Sequence, residues 1–384
     1  MNNESTHMQG LSMARFLRDY WQKRPCVIKQ FMPAFVDPID EHELAGLSQE
    51  DGVDSRLISN VNGEWQVTQG PIDDFEPLCK GAWTLLVQGV DRYVPDVDAL
   101  SDGVKQIGSW RMDDVMVSFS SAGAGVGPHI DEYDVFIVQG KGTRRWQVGL
   151  PCDHETFLPH PLLKQITPFT PLIDEVLASG DAIYIPPKHP HNGIAVSECL
   201  NYSIGFRAPT NLEVLNGLVD EGEDLESAQQ RYTDPELHEY RDESISAASI
   251  TDIELNKLKR TIQSLLDSEQ AQRALMQSIS RQGLADMSPE TLFDQDEVLA
   301  LLENGEQFVK APGVKPIYAQ SQSEGFRFYI DAQEFAVPSS VEGYLKTIID
   351  RDISSCSSEL DSLQINTIEP LIRLLLNQGY LDIA

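Results

Sequence analysis

Apolar residues in the first 210 positions come in short runs interrupted by Gly and Pro, the pattern of strands rather than helices. Residues 56–58, 64–67, 83–87, 115–119, 135–138, 145–148 and 182–185 are such runs. Between the first two, Val61-Asn62-Gly63 has turn chemistry. Many short strands with turn signals predict a sandwich or barrel. Helical spacing is confined to Leu11, Phe16 and Tyr20 and to the stretch from Glu41 to Leu47.

The pattern changes after Arg207-Ala208-Pro209. Between Glu213 and Glu243 there are 11 acidic and 2 basic residues and no strand-like run. Leu255, Leu258, Ile262, Leu265 and Leu266 then follow the i, i+3, i+4 spacing of an amphipathic helix, continued by Leu275 and Ile279. Such a stripe packs either on its own domain or on a second copy of the chain. After the Ser288-Pro289 break, a helix over 298–302 precedes short strands at 308–309 and 326–330. A helix over 341–349 and another with Ile368, Leu371, Ile372 and Leu375 on one face follow, with Gly379 where a C-cap glycine belongs. This order resembles a winged helix. The expected organisation is α+β, with domains at 1–210, 211–288 and 289–384.

Charge narrows the partners. The chain carries 29 basic and 60 acidic residues, a net charge of −31. Such a surface repels a phosphate backbone and attracts cationic proteins, so direct nucleic-acid binding is not expected. The last block, from Glu290 to Ala384, holds 16 acidic and 6 basic residues, which argues against a DNA-reading wing. No stretch approaches the ~18–20 apolar residues of a membrane helix. Met1-Asn2-Asn3-Glu4 lacks the basic and apolar regions of a secretory signal, so the cytoplasm is expected. Cys26, Cys79, Cys152, Cys199 and Cys356 form no C-x-x-C pair, against both a disulfide framework and a thiolate zinc site.

The chemistry concentrates in Gly125-Val126-Gly127-Pro128-His129-Ile130-Asp131-Glu132-Tyr133-Asp134. On an extended chain residues i and i+2 share a face, so His129 and Asp131 can converge on one metal ion. A second strand-like segment, Gly180 to Pro187, leads into Lys188-His189-Pro190-His191, and either histidine can return a third ligand. His191 is favoured, because His189 precedes a proline that restricts its backbone. Two imidazoles and one carboxylate make the facial triad of non-haem Fe(II) oxygenases. An isolated H-x-D is common by chance; the turn, H-x-D, distal strand and histidine together are not. An anionic cosubstrate would also need a buried cation, and Arg144 or Arg145 can supply it, since only one of two adjacent strand residues faces inward.

At these residues the sequence resembles the JmjC-type ribosomal oxygenases, and within them the bacterial, arginine-hydroxylating ribosomal oxygenase A type. Tyr20-Trp21-Gln22-Lys23-Arg24-Pro25, Asp54-Ser55-Arg56-Leu57, Trp83 to Gln88, the metal stretch, Gly180 to Pro187, His191 and Asn201 to Pro209 carry the likeness. The resemblance implies a double-stranded β-helix of the JmjC/cupin type, a helical dimerisation region and a winged-helix-like C-terminal domain. It implies Fe(II) on His129, Asp131 and His191, with 2-oxoglutarate and O2 as cosubstrates. Arg144 takes the position of the residue that binds the distal carboxylate of 2-oxoglutarate. Ser120 falls where a hydroxyl assists it, and Asn201 is a further cosubstrate candidate. For a guanidinium substrate, Tyr133 and Asp134 are the candidates.

The function so implied is hydroxylation of an arginine in a basic large-subunit ribosomal protein by a cytoplasmic homodimer. The alternatives are a JmjC hydroxylase of histidine or asparagine, a lysine demethylase, a non-oxygenase cupin metalloenzyme such as a sugar isomerase, and an inactive JmjC scaffold. The single H-x-D with a distant histidine and Arg144 argue against the cupin isomerase, and the intact triad against the scaffold.

Overall fold

The computed structural model describes residues 6–222, 228–320, 325–350 and 360–384; Met1–Glu4 and Cys356 lie outside the described residues. The chain divides into two compact units, residues 1–208 with 311–314, and residues 209–310 with 315–384. No helix among the described residues is long and apolar enough to cross a membrane.

The first unit is a strand-built catalytic fold. Its strands are β1 (His7–Gln9), β2 (Cys26–Lys29), β3 (Ser55–Val61), β4 (Glu64–Gln69), β5 (Ala82–Val87), β6 (Met112–Ser120) and β7 (Asp134–Gln139). They continue as β8 (Thr143–Gly149), β9 (Thr156–His160), β10 (Leu163–Ile166), β11 (Pro171–Ala178), β12 (Ala182–Ile185), β13 (His191–Ala195) and β14 (Cys199–Phe206). Nine pair in the order β1-β2-β12-β7-β14-β6-β5-β3-β4, three as β11-β8-β13, and β9 pairs with β10. These are the sheets of the expected double-stranded β-helix. The runs read as strands all lie in strands.

The large sheet has two buried faces, so its alternation is between two cores rather than between core and water. Phe136 and Val138 of β7 join Val115, Val117, Tyr202, Ile204 and the N-terminal helix residue Phe16 in one core. Val135 and Ile137, on the opposite face, join Trp146, Val148, Ile173, Leu177, Ile183 and Ile185 in another. Phe136 alone meets the rings of Phe16, Tyr184 and Phe206 at centroid distances of 4.9, 5.0 and 5.9 Å. The N-terminal helices, α1 (Met13–Asp19) and α2 (Glu41–Leu47), contribute Phe16 and Leu44 to this outer core. In α2 the start is fixed by a capping box between Asp40 and Glu43.

The same alternation corrects one site candidate. Asp134 shares its face with Phe136 and Val138, opposite to Val135 and Ile137, and is fully buried. Its carboxylate accepts from Tyr184 Oη at 2.5 Å, Gln22 Nε2 at 2.9 Å and Arg111 at 3.3 Å. Asp134 therefore ties β7 to β12 and the N-terminal segment, and does not line the cavity described below.

The second unit contains α4 (Asn211–Gly222), α5 (Asp252–Leu266), α6 (Glu269–Ser280), α7 (Gln295–Glu303), α8 (Glu342–Ile349) and α9 (Ser362–Asn377); the short α3 (Pro95–Asp98) belongs to the first unit. Two small antiparallel pairs complete it, β15 (Phe308–Lys310) with β18 (Leu381–Ile383), and β16 (Arg327–Ile330) with β17 (Gln333–Ala336). Helix α4 lies in the acidic stretch that has no strand-like run, within the segment 211–288 expected to be helical. Segments 211–288 and 289–384 fall in one unit: Arg273 of α6 pairs with Glu334 of β17 at 2.6 Å. Gly379, at φ +70°, ends α9, and the N–H groups of Gly379 and Tyr380 donate to Leu376 and Leu375 carbonyls.

Asp134→Ala should leave the Tyr184 hydroxyl, Gln22 and Arg111 without their buried acceptor, at a cost of about 3–5 kcal/mol. Urea denaturation should show that loss, while metal binding by the folded variant is retained. A raised KM for the protein substrate at full stability would return Asp134 to the site.

Candidate metal and cosubstrate site

The H-x-D segment does not form a regular strand. Residues 130–133 precede β7, and His129 makes an isolated antiparallel bridge to His191, the first residue of β13. Each histidine N–H donates to the other's carbonyl, at 3.0 and 2.9 Å. The bridge sets side chains 62 positions apart directly opposite one another, with ring centroids 4.2 Å apart. Asp131 Oδ2 lies 3.4 Å from His191 Nε2 and 3.9 Å from His129 Nε2. One ligand atom from each of the three residues lies within 4.8 Å of the other two.

The tautomers follow from what surrounds the rings. His129 Nδ1 sits 2.9 Å from the Gly127 carbonyl and His191 Nδ1 2.9 Å from the His189 carbonyl. A carbonyl only accepts, so both Nδ1 atoms carry the proton and both Nε2 atoms present a lone pair. Burial and the neighbouring His191 hold His129 down at about 4, so its imidazole is neutral at pH 7. Burial alone would raise the Asp131 carboxyl, but His191, His129 and a hydrogen bond from Tyr133 bring it down to about 2. Two lone pairs and an ionised carboxylate converging on one point fit a divalent cation. Gly127, at φ +80°, shapes this approach: a side chain there would meet Gln165 Nε2 at 2.1 Å. His189 stays outside the cluster, buried, with Nδ1 on the Pro187 carbonyl at 3.0 Å. Of the two histidines left open by the sequence, His191 faces the centre.

Behind the cluster lies a cavity of about 400 Å³, lined among others by Ser118, Arg144, Trp146 and Asn201. Arg144 is 5% exposed, whereas Arg145, next along β8, turns out to bridge Asp174. The Arg144 guanidinium donates to Ser120 Oγ at 2.6 Å and to Asn201 Oδ1 at 3.0 Å. It has no carboxylate partner among the described residues, and its Nε has no acceptor. A buried cation without a counter-anion is the cradle that a dicarboxylate cosubstrate fits. The Trp146 ring stands 5.7 Å from the guanidinium carbon, packed where Gly193 has no side chain: a Cβ there would meet the ring at 2.7 Å.

Strand parity accounts for the rest of the lining, part of which the sequence reading missed. Ser118, Met116 and Asp114 lie on the Ser120 face of β6, and Thr84 and Leu86 of β5 and Asn201 and Ser203 of β14 complete the wall. Tyr133, unlike Asp134, lines the cavity at its open side with Asp113, Asp114 and Arg56. Asp114 accepts from the Gly89 N–H at 2.8 Å. The alternation already present in residues 112–120 could have found Asp114.

The comparisons with known proteins agree with this geometry. Residues 99–214 match a family model described as JmjC domain, and residues 259–382 one described as ROXA-like winged helix. Over 308 residues the chain is 40% identical to the ribosomal protein uL16 3-hydroxylase of Escherichia coli, covering 79% of this chain and 82% of that one. A probable ribosomal oxygenase of Haemophilus influenzae is 39% identical over 208 residues, 53% of this chain and 51% of its own. The crystal structure of E. coli YcfD superposes with a TM-score of 0.85 at 34% identity, covering 97% and 98% of the two chains. A structure of that ribosomal oxygenase with cobalt and 2-oxoglutarate gives 0.83 at 34%, covering 98% and 99%. The chain belongs to the JmjC-type ribosomal oxygenases, and is a metal- and 2-oxoglutarate-dependent dioxygenase that hydroxylates protein.

Proposed function

We propose that the chain hydroxylates the β-carbon of an arginine in a basic large-subunit ribosomal protein, with Fe(II) on His129, Asp131 and His191. The observation that carries this reading is one cavity holding both the His-Asp-His cluster and a buried arginine without a counter-anion. Iron so bound supplies, with 2-oxoglutarate and O2, the oxidising power that inserts one oxygen into a C–H bond and leaves succinate and CO2. The protein's own residues do the positioning. Arg144, with Ser120 and Asn201, takes the distal carboxylate in charge-assisted hydrogen bonds. The Gly127 and His189 carbonyls hold both ligand rings in the tautomer that offers Nε2.

The substrate end of the reading rests on charge. Asp113, Asp114 and Tyr133 at the open side of the cavity suit a guanidinium, and the net charge of −31 suits a cationic protein. The E. coli relative's name places its hydroxyl on carbon 3 of a residue in uL16. A cytoplasmic site of action follows from such a substrate. For assembly we propose a homodimer through α5, which has no buried residue and exposes Leu255, Leu258 and Ile262, with Leu212, Leu215 and Val219 of α4 also exposed.

Asp131→Ala and His191→Ala should each abolish metal-dependent 2-oxoglutarate turnover, whereas His189→Ala should keep it. Metal content and succinate release measured on all three decide the ligand set, and loss with His189→Ala alone would reassign it.

Mass spectrometry of large-subunit ribosomal proteins treated with enzyme, Fe(II), 2-oxoglutarate and O2 should find an added oxygen, about +16 Da, on one arginine. Turnover on the long basic substrate should fall with salt as screening shortens to ~8 Å, and less so for a short peptide. Oxygen found on histidine instead sinks the arginine reading and leaves the dioxygenase standing.

Replacing Leu258 and Ile262 together by Glu should set like charges against each other across the α5 contact. Light scattering should then report the monomer mass, and an unchanged dimer mass would remove α5 from the interface.

A further inference from the structure

Gln139 ends β7 fully buried, beside the cavity but not among its lining residues. Its side chain has one self-consistent orientation. Nε2 lies 3.1 Å from the Leu200 carbonyl, 3.3 Å from that of Lys141 and 3.5 Å from that of Gly140. All three only accept, so the amide nitrogen must stand there and Oε1 must point the other way. Oε1 accepts from Asn201 Nδ2 at 2.8 Å, across the β7–β14 register that pairs these two residues. With its nitrogen committed to Gln139, Asn201 turns Oδ1 to Arg144. Were Asn201 flipped, its amide hydrogens would face the guanidinium, donor against donor, between two buried groups.

The orientation thus passes from backbone carbonyls to Gln139, from Gln139 to Asn201, and from Asn201 to Arg144. The second anchor of Arg144 is a hydroxyl rotor, Ser120, itself 2.9 Å from Thr84 Oγ1, which can turn to suit either pose. The amide relay discriminates between them, with a weak thiol donor, Cys199 Sγ, 3.8 Å from Asn201 Oδ1.

We propose that Gln139 is a positioning residue for 2-oxoglutarate: it orients Asn201 so that Arg144 is held in the pose that receives the distal carboxylate. This rests on the reading of Arg144 as the carboxylate site. Gln139 touches neither cosubstrate nor substrate, so its removal should weaken 2-oxoglutarate and leave the protein substrate's KM unchanged.

The test is calorimetric titration of 2-oxoglutarate into the full-length, Co(II)-loaded protein under anoxic conditions, with KM and kcat measured in parallel on the iron enzyme. Gln139→Leu should weaken 2-oxoglutarate about tenfold, the effect of one buried hydrogen bond lost with its partner left unpaired. Its kcat at saturating 2-oxoglutarate should stay within about twofold, since the metal ligands are untouched. Asn201→Ala should weaken the cosubstrate as well, and the double variant Gln139→Leu/Asn201→Ala should be no worse than Asn201→Ala alone. Gln139→Met keeps the volume but offers Asn201 Nδ2 no comparable acceptor, and should weaken binding as Gln139→Leu does; it also serves if the leucine variant does not fold. Multiplying losses in the double variant, or unchanged affinity in Gln139→Leu or Gln139→Met, would each overturn the proposal. Arg144→Ala separates the two readings. If it weakens binding strongly while Gln139→Leu does not, only the relay fails. If Arg144→Ala binds 2-oxoglutarate as well as Arg145→Ala does, the carboxylate site itself is wrong.

Discussion

Two backbone hydrogen bonds, exchanged between His129 and His191, govern the chemistry of this protein. They close one antiparallel bridge between the end of a glycine-rich approach and the start of β13. Opposed residues in such a hydrogen-bonded pair are about 5.5 Å apart at Cα, and their side chains leave on the same face. That spacing brings two imidazoles to one point from opposite strands, and Asp131 reaches it from two residues along. A slip of one residue in this pairing would send His191 to the other side and bring His189 or Pro190 no nearer to use. The carbonyls of Gly127 and His189, each two residues before its histidine, then fix the tautomers. Backbone groups therefore set both the position and the tautomer of the two imidazoles.

Around that bridge the large sheet separates two jobs by parity. Its outer face is covered by α1, α2 and the loops before β6, and holds the bulky side chains such as Phe136, Tyr202 and Phe206. Its inner face is mixed: apolar against β8 and β11 near Val135 and Ile137, polar where Ser118, Asn201 and Ser203 line the cavity. Such a cavity asks the fold to bury Arg144 with neutral partners only, a costly arrangement when no anion is bound. Burial accordingly lowers the Arg144 pKa. A fully packed outer core is what lets the inner face carry that cost.

Several of these results are local and can be read from the sequence. Alternation along a strand depends only on neighbouring residues, so it sets Arg144 and Arg145 on opposite faces without knowledge of the partner strands, whereas Ser120 and Asn201 enter through the family resemblance. Alternation equally separates Tyr133 from Asp134, whose parity with Phe136 and Val138 already assigns it to the outer core. The capping box at α2 and the glycine after α9 are likewise local. The helix 211–222 was not legible, because its buried side is too sparse to show a periodic stripe: Gly222 is its one buried residue.

The sequence by itself determined the strand-rich catalytic block, the ligand types at 129, 131 and 189 or 191, and the net charge of −31. Tertiary structure decided what depends on pairing between distant segments. It chose His191 over His189 through the register with His129, and brought Asp114 beside Tyr133 at the open side of the cavity. It also linked Gln139 to Asn201 across β7 and β14. The physical reason is the same in each case: a period-two pattern states which way a side chain points, whereas inter-strand hydrogen bonding states what it meets.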